Sequence, residues 1–163
     1  MIEVNESLDK LKKEYIVLED KYNLPRFDEL NREFQIEKLV GIETDYLIRE
    51  ISKMVSEKLS DFLKFIEGIL HPVNGSILVF SILRTIGDKE RGMLADIYKD
   101  IAKVELKMIR MGLEFNEEKE VAFIKEGIIL WNKVKEKLSQ VLDAVEANWE
   151  KDFKINGQNG YFS

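Results

Sequence analysis

Apolar residues recur three or four positions apart through nearly the whole of this chain, and no other feature narrows its choice of fold as much. The pattern is clearest toward the C-terminus, where Val121, Ile124, Ile128, Trp131, Val134, Leu138, Leu142, Val145 and Trp149 fall on one stripe of a helix, since side chains three and four apart share a helical face. Asn116 suits the N-cap of that helix, because its side chain can accept from an exposed first-turn N–H. Taken to residue 152, the helix has about 36 residues and is roughly 50 Å long at 1.5 Å per residue.

The same spacing marks the other segments. Val4, Leu8, Leu11, Tyr15, Leu18 and Tyr22 form one seam, ended by Asn-Leu-Pro, because proline cannot continue a helix and pushes its predecessor out of the helical region. A second segment begins near Phe27 with Leu30, Phe34, Leu39 and Val40. A third runs from about Thr44 to Leu70 with Ile48, Ile51, Val55, Leu59, Phe62, Ile66 and Ile69. Gly41 lies between them and costs a helix only about 1 kcal/mol, so the sequence leaves open one kinked helix or two. A short helix is expected over Ser76–Ile86. A fifth is expected over Lys89–Met111 on Leu94, Ile97, Ile101, Val104, Met108 and Met111, with Gly112 at its C-terminal cap.

No segment alternates with period two. Only the tail, with its two Asn-Gly pairs, could make a small ribbon, and an irregular end is the expectation there. Long amphipathic helices joined by short loops specify an all-α antiparallel up-and-down helical bundle of five or six helices, with a long C-terminal helix and a short irregular tail. The expected organisation is a single domain over 1–152 and a tail over 153–163. Nothing repeats internally, and no Pro- or Ser-rich linker interrupts the chain.

Composition then removes functions. The chain has no cysteine, which rules out disulfides, a thiolate nucleophile and cysteine-held zinc or iron–sulfur clusters, and fits a cytoplasmic location. The longest apolar block, Ile77–Leu83, is far shorter than the roughly 20 residues a membrane span needs. Net charge is −6, and the Lys99, Lys103, Lys107 and Arg110 stripe is interleaved with Asp96, Asp100 and Glu105, so a nucleic-acid footprint is not expected. Enrichment in Glu, Lys and Ile resembles heat-adapted proteins. An AT-rich genome would produce the same Lys and Ile bias.

Candidate chemistry is sparse. His71, the only histidine, follows a long helix and precedes Pro72. That position is explained by the way a helix stops, and only Glu67, one turn back, could orient the ring for base chemistry. The Glu-x-x-His pairs of carboxylate-bridged metal centres are missing, so no cofactor and no metal site is assigned. Rows such as Glu29, Glu33 and Glu37, or Asp96 and Asp100, have basic neighbours and read as solvated faces. Glu43, Asp45 and Arg49 differ, because they lie beside Gly41, where a bundle can open a polar pocket. Together with Glu67 and His71 they are the candidate ligand-binding residues; no residue is assigned a catalytic role.

The remaining feature is adhesive. A terminal helix longer than its companions must project or find cover, and Trp131, Val145, Trp149, Phe153, Tyr161 and Phe162 are the candidate interface residues. The functional expectation is a non-catalytic interaction or assembly protein that self-associates as a homodimer through its C-terminal helix, with another protein partner also open. The alternative is a bundle that binds a small ligand or a carboxylate-coordinated divalent metal.

Overall fold

The computed structural model describes the backbone of residues 2–158 and the side chains of residues 3–151. Among these residues the regular structure is entirely helical: α1 (Ile2–Tyr22), α2 (Phe27–Phe34), a 3-10 turn (Ile36–Leu39), α3 (Leu47–Leu70), α4 (Ile77–Thr85), α5 (Asp88–Met111) and α6 (Glu117–Gln158). The all-α bundle expected from the spacing is the observed class. The last helix has 42 residues against 24 each for α3 and α5. Its helical backbone takes in residues 153–158, which the sequence assigns to the tail.

Each break has a local cause. Asn23 adopts a left-handed φ of 52° at the end of α1, a conformation asparagine tolerates at a helix C-terminus. The second and third segments are separate helices, and Gly41 is not the sole reason. Gln35 is already left-handed at φ 55°, its N–H returning to the Asn31 carbonyl at 2.7 Å. The Asn31 amide then holds Glu37 through its backbone N–H (2.9 Å) and its carboxylate (3.1 Å), and Gly41 follows at φ 82°. Ser76 caps α4 by accepting from Val79 N–H (3.3 Å), and Asn116 caps α6 by accepting from Lys119 N–H (3.0 Å). Glu90 reaches back to Gly87 N–H at 3.0 Å, the return half of a capping box at the start of α5. Gly112 does close the last turn of α5, through Met108 and Ile109, but without the positive φ of a glycine cap.

By Cα proximity the chain divides into two compact units, Met1–Ser60 with Val104–Ile129, and Asp61–Lys103 with Leu130–Ser163.

In the first unit, Arg49 meets Met111 and Ser56 meets Glu105, so α3 and α5 run antiparallel. Lys107 meets Glu126 at 2.8 Å, so α5 and α6 do too. Consequently α3 and α6 run parallel, as the approaches of Arg49 to Glu120 and of Val55 to Gly127 require. Ile48, Ile51, Val55, Leu59, Val104, Val121 and Ile124 fill the space between them. Tyr15 is fully buried, donates its hydroxyl to the Pro25 carbonyl at 2.5 Å and meets the Phe27 ring edge-on at 5.7 Å. That contact binds α1 to α2, with Leu11, Leu30 and Phe34 packed around it.

In the second unit Phe62 and Trp131 pack ring against ring at 4.9 Å. Ile66, Ile69, Leu94, Ile97, Ile101, Val134, Leu138, Val141 and Val145 form the core there, each contributing about 1.5–3 kcal/mol by leaving water. Asn148 donates its side-chain amide to the Thr85 carbonyl at 2.8 Å. That carbonyl lies in the last turn of α4, where intrahelical partners run out, so the bond satisfies an otherwise orphaned acceptor.

Candidate functional site

Two adjoining cavities, each about 370 Å³, open in the first unit between α1 and the segment that leads into α3. They share Glu14, Thr44 and Asp45 as a common wall. The first lobe is polar, with Ser7, Lys10 and Glu43 beside Gly41. The second is mainly apolar, built from Val17, Leu18, Tyr46, Leu47 and Phe115 with Glu117 at its edge. Gly41 is left-handed at φ 82° and residues 42–46 form an irregular arch that borders this space. Thr44 fixes the arch by accepting from the Tyr46 N–H at 3.0 Å. Tyr46 and Phe115 then meet edge to face at 4.9 Å, both exposed.

The cleft is electrostatically one-sided. Glu14, Glu43 and Asp45 are exposed and have no ion pair or hydrogen bond from a side chain among the described residues, and Lys10 is the one cation on the walls. Glu117 faces Lys21, whose pKa is raised by the Tyr22 hydroxyl first and then by the charges of Glu117 and Glu118.

Arg49 lies outside both lobes. Its Nη2 donates to the Met111 carbonyl at 3.4 Å, its guanidinium lies 5.4 Å from the Phe115 ring centre, and its Nε stands 3.7 Å from Glu120 Oε1. Glu120 is fully buried, and neither carboxylate oxygen accepts a hydrogen bond from the described residues. The contact with Arg49 is therefore an ion pair without a hydrogen bond. Two things offset the burial of that charge: the guanidinium, and a place in the first turns of α6, where the helix dipole favours an anion. Sequence spacing passes over Glu120 because a glutamate among charged neighbours looks like surface.

The other candidates lie apart from the cleft. His71 is exposed just past α3, its N–H bonded to the Glu67 carbonyl at 2.8 Å, and no side-chain hydrogen bond joins it to Glu67. Among the described residues no group of three or more acidic or histidine side chains is arranged to hold a metal ion. On α6, Trp131 and Val145 are buried within the second unit and Trp149 is half-buried, so their own chain covers most of the stripe proposed for assembly. Phe153, Tyr161 and Phe162 lie outside the residues whose side chains are described.

Apolar surface is exposed elsewhere. Along α4 and the turn before it, Val73, Ile77, Leu78 and Phe80 are 82%, 85%, 53% and 47% exposed. The helix buries only Ile82 and Thr85, and residues 72–83 carry no charge. In the first unit Leu106 and Ile109 on α5, with Leu113 just beyond its end, leave a second exposed stripe. Beside it a cavity of about 570 Å³ is floored by Met111 and Phe123, with the Lys107–Glu126 ion pair on its wall. No helix among the described residues is long and apolar enough to cross a membrane. No family model, no curated protein and no solved structure matches this chain.

Proposed function

We propose that this chain is a non-catalytic helical interaction protein that forms a reversible homodimer, and that the contact is the outer face of α4. The observation that carries the reading is the charge-free run of exposed Val73, Ile77, Leu78 and Phe80. Apolar patches of this kind on a folded chain mark interaction sites. A second copy is the preferred occupant because a face without charge repels nothing, even on a molecule of net charge −6, and a twofold contact uses the same patch twice.

The magnitude sets the affinity class. The exposed parts of the four side chains amount to between two and three complete ones, or about 4–8 kcal/mol per copy at 1.5–3 kcal/mol each. Doubling this to roughly 8–16 kcal/mol and setting it against about 4–15 kcal/mol lost on association leaves at most about 12 kcal/mol, a margin that accommodates a reversible dimer in the micromolar range. A cytoplasmic location, resting on the lack of cysteine, belongs to the same reading.

Sedimentation of the full chain over a micromolar concentration series should show mass rising from 19.1 kDa toward twice that value. Ile77→Asp should hold the protein at the monomer mass with unchanged helical circular dichroism. Leu113→Glu, just beyond α5 on the second exposed stripe, should dimerise like wild type. A wild type that stays at 19.1 kDa throughout sinks the dimer, and dissociation by Leu113→Glu but not Ile77→Asp moves the contact away from α4.

A further inference from the structure

The cleft beside α1 supports an assignment that does not depend on dimerisation. We infer that its apolar lobe binds a primary ammonium carried on an apolar or aromatic body, with the body against Tyr46, Phe115, Val17 and Leu47 and the ammonium at Asp45 and Glu14.

Size, lining and charge each narrow the occupant. About 370 Å³ lies within the range of small-molecule sites, which combine apolar walls with a few convergent polar groups. Aromatic rings attract cations through their negative faces. Phe115 already has the Arg49 guanidinium at 5.4 Å, and Tyr46, the more exposed of the pair, presents the remaining aromatic surface. Asp45 and Glu14 stand on the wall common to both lobes, so an ammonium there is reached from the apolar side while Glu43 adds negative charge from the other. An anionic ligand would meet this excess of carboxylates directly. A neutral one would strip water from them with no charge to replace it. A metal ion is disfavoured because the carboxylates do not converge into a coordinating group. A cation with an apolar body satisfies both halves of the groove.

The test is a backbone amide NMR titration of the full chain with three probes of nearly one shape: 2-phenylethylamine, which is cationic at neutral pH, its neutral counterpart 2-phenylethanol, and anionic phenylacetate. The amine should shift Thr44–Ile48 and Phe115 saturably, with the alcohol at least about tenfold weaker at the same residues, equivalent to about 1.4 kcal/mol. Phenylacetate should not saturate there. Asp45→Asn and Tyr46→Leu, both at exposed positions, should each weaken the amine severalfold, and added salt should weaken it as well. Equal binding of amine and alcohol overturns the inference. So does amine binding that Asp45→Asn and Glu14→Gln together leave unchanged, or an amine that shifts no residue of the cleft.

Discussion

Replacing Gly127 by alanine tests the helix packing of the first unit at a close approach of α3 and α6. A Cβ on Gly127 would stand 2.5 Å from Val55 Cγ1 and 3.7 Å from Leu59 Cδ1, where carbon contacts are best at about 3.5–4.0 Å. Val55 is fully buried, and as a β-branched residue inside a helix it has essentially one χ1 rotamer, so it cannot swing aside. Relief requires α3 and α6 to separate, and overpacking of that kind costs about 1–3 kcal/mol. Against it stands the gain of about 1 kcal/mol that alanine brings over glycine within a helix. Because the obstruction is a rigid buried methyl and not the end of a flexible chain, we place the cost at the upper end. The expected net loss is about 1–2 kcal/mol. Urea unfolding followed by circular dichroism should show a lower midpoint at an unchanged slope. Val55→Ala alone should also destabilise, by leaving a cavity, but the double variant should lose at least about 1 kcal/mol less than the sum, since the two changes share one space. A Gly127→Ala protein as stable as wild type, or strictly additive losses, would refute the argument.

Two further predictions concern titrating groups. Burial, then the charges of Glu19 and Glu29, raise the Tyr15 hydroxyl well above its ordinary value of 10.0. The folded chain therefore keeps a proton that the unfolded chain releases, and stability should fall as pH rises past about 10. Tyr15→Phe, which strips the Pro25 carbonyl of its donor, should cost about 1–2 kcal/mol at neutral pH and flatten that alkaline decline; an equally steep decline in the variant's thermal unfolding would count against it. Asp100 is held below the usual carboxylate range by the hydrogen bond from Lys133, aided by the charges of Lys133, Lys103 and Lys137. Its contribution is present above the unfolded value near 3.9 and lost as pH falls through the lower folded one. Because the pair is partly exposed and screened by solvent, Asp100→Asn should cost under about 1 kcal/mol at neutral pH and nothing near pH 2; a gap between the melting curves that persists at pH 2 would contradict this.

Of the candidate site, the sequence singled out Glu43 and Asp45 from the irregularity at Gly41, and both line the polar lobe beside it. Arg49 could not be separated from them by spacing, because only packing turns it toward Glu120 and the Met111 carbonyl. Glu14, Tyr46 and Phe115 reach the cleft from three different segments, and no local pattern announces that they meet. Apolar surface is legible only in part for a related reason. A long apolar stripe on the last helix reads as sticky, yet Trp131 and Val145 are covered by their own chain, while the short α4 is left bare. Which of two apolar faces is covered is decided by the neighbours available to it, and periodicity carries no record of those.

The last helix shows where that boundary falls. The three–four spacing alone determined that residues from Glu117 onward form a long amphipathic helix, because the spacing reflects 3.6 residues per turn and needs no partner. It marked most of the buried face but not all of it. Reading apolar residues alone also selected Ile128 and Trp149, which are half-buried, and Leu142, which is exposed. Six of the nine residues on that stripe are buried, Val121, Ile124, Trp131, Val134, Leu138 and Val145, and the covered face also takes in Glu120, Phe123, Gly127, Leu130, Val141 and the half-buried Asn148. Its three non-apolar members each have a reason outside the helix: Arg49 for Glu120, the approach of Val55 for Gly127, and the Thr85 carbonyl for Asn148. A glutamate, a glycine and an asparagine are poor core residues until a particular partner makes them good ones. That partner is set by how helices distant in sequence pack together, so the period and most of the apolar face belonged to the sequence, and the polar members of that face to the tertiary structure.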